Sequence, residues 1–436
     1  MPAANRLSQW VSRRFSGRMK KEPEEYTSGY GTRVGSASPV VSGALHLILL
    51  AAASMFMLPL IWMAVTALKP LNQTMQYPPS WIPRATYAVI DGQKIIVEPK
   101  LKLDQDSLLV IQRGGHDIGM RKLVPAANFK DGKALVKFKQ GGKEDYESAP
   151  VPVDIVKKCP AGWWQVEEWA PDFSAERERS KTERRWDCVP ESDMSEVPHA
   201  FWSNYQSAIE RMHEKEDPPG FFASGFPRFV INTLWVCLLS VLGVVVSCTL
   251  VAYAFAFLDF PGRNILFALT LAVMMVPFPA VMVPLYDELR TFGWVGTFKP
   301  LWVPAWFGSA FFIFLLRQFF LGLPRDLLDA ARIDGCNELE ILWHVVVPLA
   351  RPALAMIALI QFLGSWKDFM GPLNYLTSRN QFTLSIALQS LQSQQGGTPW
   401  HILMAASMMF SMPLIILFFL ARKSFMKGIA MTGIKG

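Results

Sequence analysis

Apolar residues gather in long unbroken runs along most of this chain, and the first run sets the reading. Gly43 to Leu68 spans 26 residues without Asp, Glu, Lys or Arg. A secretory h-region has roughly 7–15 residues, whereas a tilted membrane helix needs about 20. Five further runs predict spans at Phe229–Leu258, Asn264–Tyr286, Leu301–Phe320, Pro352–Trp366 and Ile402–Ala421. The run from Phe229 to Leu258 is uncharged throughout. The third contains Pro277, Pro279 and Pro284, which predicts a kinked or interrupted helix whose freed carbonyls need protein or water partners. The fifth is short and ends in Trp366-Lys367-Asp368. The expected class is an all-α polytopic membrane protein with about six transmembrane helices.

Between the first two runs the pattern changes. Tyr87-Ala88-Val89-Ile90, Asp91-Gly92 and Lys94-Ile95-Ile96-Val97 read as strand, turn, strand. Ala134–Lys139, bounded by Lys130-Asp131-Gly132 and Gln140-Gly141-Gly142, repeats the signal. Asp-Gly flanked by β-branched residues marks a tight hairpin. The later part of this region is Trp-rich and then charged, and Trp163, Trp164, Trp169 and Trp186 are expected to form a small core rather than the alternative, a sugar-stacking platform. Phe201–Met212 is expected to be a helix returning the chain to the membrane. The organisation is thus a basic tail at 1–42, a span at 43–68, a β-containing insert at 85–199, and a core at 200–436.

Composition fits a mixture of spans and a soluble insert: 51% of the 436 residues are hydrophobic and 18% charged. The net charge of +7 lies outside the insert, because residues 85–200 hold 18 Lys and Arg against 20 Asp and Glu. Arg6, Arg13, Arg14, Arg18, Lys20, Lys21 and Arg33 precede the first span, and Arg422, Lys423, Lys427 and Lys435 follow the last. Basic flanks stay in the cytoplasm, and six spans put both termini on one side. The insert then falls outside, where an oxidising compartment permits a Cys159–Cys188 bridge as the alternative to two free thiols. No basic stripe stands apart from the spans, so nucleic acid is not an expected partner.

The same count places residues 324–351, between spans four and five, in the cytoplasm. Pro324 suits the start of a helix, and Asp326 and Asp329 favour its N-terminal dipole. Leu328, Ala331, Gly335, Leu339 and Leu342 recur at three or four and predict one helical face. Pro348 and Pro352 are expected to end that helix and begin the next span.

Asp329-Ala330-Ala331-Arg332-Ile333-Asp334-Gly335, with Pro348 thirteen residues beyond the glycine, resembles the EAA signature of the permease subunits of ABC importers. Asp329 stands where Glu is usual, Cys336 follows the glycine in place of Ala, and Val345-Val346-Val347 replaces Ile-x-Leu. Leu68-Lys69-Pro70 with Pro78-Pro79-x-Trp81-Ile82-Pro83, Trp366-Lys367-Asp368-Phe369-Met370-Gly371-Pro372-Leu373, and the stretch Phe425 to Gly436 resemble the smaller permease of maltose-type systems. The resemblance covers roughly 43–84 and 200–436. It implies a type I ABC importer permease fold in the inner membrane of a prokaryote. It implies that Asp329, Ala330, Ala331, Asp334, Gly335 and Pro348 dock on an ATPase. The partners it implies are two ATPase subunits, a second homologous permease, an extracytoplasmic substrate-binding protein and the lipid bilayer. ATP is then hydrolysed by the partners, and this chain binds no cofactor. A sugar is the implied substrate, with Trp366, Lys367 and Asp368 as pathway candidates, Lys367 standing where the family has Asn.

The chain lacks a Gly-x-x-x-x-Gly-Lys-Ser/Thr phosphate loop, since Gly141-Gly142-Lys143-Glu144 has neither the spacing nor the hydroxyl. Its six histidines are scattered without metal spacing, and no Gly-x-Ser-x-Gly elbow is present. No catalysis and no metal are expected. A membrane-anchored sensor or scaffold working through the insert is the alternative of a different class. A proton- or sodium-coupled carrier is a third, and it calls for intramembrane charges and inverted repeats, neither of which stands out.

Overall fold

A computed structural model describes residues 39–113, 121–139, 146–169, 186–213, 222, 224–392 and 398–432, with the side chains of 39–40, 112, 122, 135–139, 146–151, 186 and 421–432 left out of account. Residues 1–38 of the expected tail at 1–42 and the last four residues lie outside the described residues, and residues 39–42 already belong to the first helix. Two compact units are present. One comprises residues up to 59, 234–377 and 416 onward, and the other 60–233 and 378–415.

Among the described residues, four helices are long and apolar enough to cross a membrane, and the count reaches six if each of two bent pairs is one span. The first, α1 (Pro39–Ala67), has no residue of its apolar window buried by the chain itself. In the second unit, α2 (Ser203–Arg211) follows the insert. Its Asn204 amide donates to the carbonyls of Ala67 and Lys69, at 2.8 Å each, and so satisfies acceptors left open at the end of α1.

The next helix, α3 (Gly225–Phe257), is the uncharged run. The Pro-rich third run is broken into α4 (Arg263–Val273) and α5 (Phe278–Thr291), which meet at 99°. Pro277, immediately before α5, cannot donate to the preceding turn, so the chain breaks there. The fourth span departs from the expected unbroken helix. Residues 299–302 are α-helical, Val303–Phe307 is a 3₁₀ turn, Gly308 has φ +90°, and regular helix resumes in α6 (Ala310–Leu321). The freed carbonyls find partners on α3: the Ser240 hydroxyl donates to Leu301 and the Ser247 hydroxyl to Ala305, each at 3.2 Å. The Trp306 ring lies over Gly243, where a Cβ would approach its Cδ1 to 2.5 Å. Small residues on α3 therefore make room for a stretch that sequence hydropathy reads as ordinary helix.

In the second unit the described residues of the insert, between 84 and 198, are mostly strand. One sheet has the order β10-β1-β2-β8-β9, from β1 (Arg84–Ile90), β2 (Gln93–Lys102), β8 (Trp164–Glu168), β9 (Trp186–Val189) and β10 (Met194–Pro198). The other has the order β4-β3-β7-β6-β5, from β3 (Ser107–Gln112), β4 (Arg121–Pro125), β5 (Phe129–Lys130), β6 (Lys133–Lys139) and β7 (Tyr146–Cys159). Both Asp-Gly turns have two consecutive positive φ values, 51° and 79° at Asp91-Gly92 and 49° and 73° at Asp131-Gly132. This backbone matches the twist of a two-residue hairpin.

The later strands were not legible as strands. Pro150 and Pro152 argue against a central strand, yet β7 is central. It manages this by halves: residues 146–151 pair only with β6, and residues 153–159 pair with β3, while the Pro152 carbonyl accepts the Arg113 N–H just beyond β3. Pro150 thus sits where one edge is unpaired, and Pro152 at the crossover, where the second edge asks only for an acceptor. The tryptophans do not form one core either. Trp164 packs with Ala88, Ile90, Val97, Val166 and Val189, and Trp163 with Leu103, Leu109, Cys159 and Cys188. Trp169 lies on Phe201, ring centroids 4.8 Å apart. The Trp186 side chain is outside the described residues. Cys159 on β7 and Cys188 on β9 are disulfide-bonded, Cα atoms 5.9 Å apart, so the bridge staples one sheet to the other.

Candidate functional site

Residues 325–349 form a helical hairpin. Its first arm, α7 (Arg325–Ile333), ends at Asp334-Gly335, where Gly335 takes φ +83°. A side chain in that left-handed region is strained, so glycine here stops the helix and reverses the chain. The second arm starts with a capping box. The Asn337 side chain accepts from the Glu340 amide and the Glu340 carboxylate accepts from the Asn337 amide, each at 2.9 Å. It runs through α8 (Glu338–Ile341), a π turn at Leu342–Val346 and a helical turn at Val347–Leu349, then bends 81° into α9 (Arg351–Trp366). The next helix starts at Arg351-Pro352 and this one stops at Leu349, directly after Pro348, as expected. The widened π turn precedes Pro348 and relieves the clash between a proline ring and the carbonyl four residues back.

The hairpin has an inner and an outer side. Leu328, Ala331, Ile341, Leu342, Val346 and Ala350 are buried in one cluster with Tyr253, Phe255 and Ala256 of α3 and Leu316 and Phe320 of α6. The outer side exposes Ile333 by 87%, Leu339 by 61% and Trp343 by 47%. This corrects the expectation of a single face through Leu328, Ala331, Gly335, Leu339 and Leu342. The left-handed turn at Gly335 resets the helical phase, so Leu339 is exposed while Leu328 is buried. Gly335 is not a close-approach position within this chain either, since a Cβ there meets nothing within 4 Å. Asp329, Ala330, Asp334 and Gly335 are exposed, Ala331 is buried, and Pro348 is half-buried.

A chain of polar contacts ties the two arms together. Arg332 donates from Nη1 to Asp329 Oδ1 at 3.0 Å and from Nε to Glu338 Oε1 at 3.0 Å. The Tyr253 hydroxyl of α3 donates to Glu338 Oε2. Arg332 and Tyr253 hold the Glu338 carboxyl below the usual carboxylate range, and Glu338 raises the Arg332 guanidinium in turn. Sequence reading missed Tyr253, Glu338, Ile333 and Trp343. The one available signal was Asn337-x-x-Glu340, a helix-start signature that splits the loop into two arms.

The other candidate residues lie just past α9. Trp366 is buried and stacks on Phe362 at 5.7 Å. Lys367 is exposed. Asp368 accepts the Gly371 backbone N–H at 3.1 Å, which starts α10 (Met370–Tyr375). A Cβ on Gly371 would stand 2.5 Å from the Asp368 carboxylate, so that glycine leaves space for the acid. The three are contiguous, but Trp366 packs, Asp368 caps, and Lys367 is the one whose side chain is open. Among the described residues no group of three or more His, Cys, Asp or Glu is placed to hold a metal.

Residues 234–430 match the family model of the binding-protein-dependent transport system inner membrane component. The arabinooligosaccharide transport system permease protein AraQ of Halalkalibacterium halodurans is 38% identical over 205 residues, covering 47% of this chain and 73% of the relative. The chain belongs to this family, the permease subunits of ABC importers. The permease is also 31% identical over 213 residues to the trehalose/maltose transport system permease protein MalG of Thermococcus litoralis, covering 48% of this chain and 76% of that one. A weaker likeness, with TM-score 0.45 and 23% identity, is to a bacterial ABC transporter involved in the import of alginate, covering 56% of the permease and 84% of that chain. The family match begins at residue 234, after the insert. The hairpin, α9, and Trp366 to Asp368 all lie within it.

Proposed function

We propose that this permease forms one half of the pathway of an ATP-driven carbohydrate importer with the type I permease fold. Relatives named for arabinooligosaccharide and for trehalose and maltose transport support a carbohydrate substrate. A second, homologous permease supplies the other half of the pathway, and two ATPase subunits bind from the cytoplasm. An external binding protein delivers the sugar. Both termini are cytoplasmic and the chain crosses the inner membrane six times. The insert is extracytoplasmic, which agrees with its disulfide. Lys367, with its side chain open beside two committed neighbours, is the pathway residue of the three.

The observation that carries the coupling role is the outer side of the hairpin. Ile333, Leu339 and Trp343 are apolar and exposed on an element whose inner side is fixed in the core. Exposed Asp329 and Asp334 flank them. An aromatic and aliphatic patch rimmed by charge is the anatomy of a protein contact. The ATPase subunit docks there, and its closure on ATP moves the hairpin as a rigid element.

The test is affinity purification of the permease from its native membranes in mild detergent. A nucleotide-binding subunit should remain bound to the native chain and be lost from Ile333→Asp and Leu339→Asp, whose side chains have no role in the core. Retention of that subunit by both variants would refute the docking assignment.

A further inference from the structure

We infer that Tyr253 and Glu338 are positioning residues that fix the docking hairpin to α3 under load, so that motion imposed on the hairpin is delivered to that helix. The inference rests on the proposed docking of an ATPase at the hairpin.

The inner side of the hairpin meets α3 and α6 through Leu328, Ala331, Ile341 and Leu342. Such burial is strong but non-directional, and it resists separation better than it resists sliding. A hairpin pushed from its outer side can shift across that surface. A directional tie is needed to set its register, and one is present. Glu338 is the first residue of α8, immediately after the reversal. Its carboxylate faces two elements: Oε1 takes Nε of Arg332 in the first arm, and Oε2 takes the Tyr253 hydroxyl of α3, with Arg332 Nη2 at 3.4 Å beside it. Arg332 in turn holds Asp329, the exposed acid of the signature segment. One carboxylate thus joins both arms of the hairpin to one helix.

The chemistry suits the task. Hydrogen bonds to an ionised acceptor are shorter and stronger than neutral ones. Tyr253 is 4% exposed, so its hydroxyl has little water to turn to if Glu338 moves away. Position matters as well. Tyr253 lies four residues from the end of a 33-residue apolar helix. A displacement applied to this end is transmitted along the rigid helix toward Gly243 and Ser240, which hold the irregular stretch at 301–307. The tie therefore connects the patch an ATPase would touch with a span that braces a broken neighbour.

Loss of the tie should be visible only when the hairpin is loaded. The experiment uses the full transporter with its own ATPase subunits. It carries one spin label on an exposed position of α7 outside the signature segment, at Arg325→Cys, and a second on α3, at Leu250→Cys. Distances are read by pulsed electron resonance without nucleotide and with ATP plus vanadate. With Tyr253 present, the distance should be the same in both states, because hairpin and helix move together. In Tyr253→Phe, which removes one oxygen and keeps the ring, the distance should be unchanged without nucleotide and should shift or split with ATP plus vanadate. In a Glu338→Ala background the same Tyr253→Phe change should add nothing. An unchanged distance in Tyr253→Phe under ATP plus vanadate would overturn the inference. So would equal broadening with and without nucleotide, which a purely structural role produces, or an equal effect of Tyr253→Phe in the Glu338→Ala background. Failure of the ATPase to bind the unsubstituted chain is a different result, and it overturns the docking assignment on which the inference stands.

Discussion

Gly335 and Glu338 show how single residues set the candidate site. A β-branched residue at Gly335 must adopt φ near +83°, which costs about 1–2 kcal/mol. Gly335→Val should therefore loosen the reversal between α7 and α8, seen as faster amide exchange over 330–340, while the spans stay folded. Glu338 supplies a pH dependence with a definite sign. Its carboxyl is held below the ordinary range by Arg332 and Tyr253. Its contribution is therefore fully present above the unfolded glutamate value, about 4.3, and is lost as pH falls through the lower folded value. Exchange protection of residues 325–341, corrected for intrinsic rates, should hold from about pH 7 to about 5 and decline below about 4. Glu338→Gln should remove that acid dependence. Because both Arg332 and Glu338 are about two-fifths exposed, the ion pair itself contributes no more than about 1 kcal/mol. The bridge between Cys159 and Cys188 spans a sequence separation of 29, and the double Ser variant should lose about 3 kcal/mol of insert stability by denaturant titration.

At the scale of elements, what was legible in the sequence depended on whether a local rule was left alone by its surroundings. Asp91-Gly92 and Asp131-Gly132 place their turns by backbone preference, and both hairpins are found there. The break in the third run was legible from Pro277 for the same reason. The hairpin at 325–349 was located correctly by its caps and prolines, but its faces were not. Helical periodicity was carried through Asp334-Gly335, and a left-handed residue ends the phase that periodicity relies on. Strand β7 was hidden because Pro150 and Pro152 are excluded from central strands unless pairing partners exchange halfway along, which is a tertiary fact. The 3₁₀ stretch at 303–307 was hidden because composition alone cannot show that Gly243 and Ser247 stand opposite it. That last dependence is testable. Gly243→Leu must displace the Trp306 ring, at a cost of about 1–3 kcal/mol. The thermal midpoint should fall, and the fall should be smaller in a Gly243→Leu, Trp306→Ala double variant.

For the whole molecule, the arrangement separates two tasks. The family match at 234–430 contains the hairpin and its core, and the insert precedes it. The ends of the insert are neighbours, since Arg84 pairs with Pro198 across β1 and β10. Paired antiparallel residues have Cα atoms about 5 Å apart, so residues 85–197 can be excised and closed by a short glycine linker. The shortened chain should still retain its nucleotide-binding subunit. Loss of uptake in that chain would assign the insert to reception of the binding protein. The central claim is that the outer side of the hairpin meets an ATPase. The most direct measurement is photocrosslinking in intact cells from a reactive residue at Leu339, with Val89 on the insert as the control. Position 339 should capture a nucleotide-binding polypeptide and position 89 should not. Capture of no such polypeptide at 339, in a chain that is correctly inserted, would contradict it.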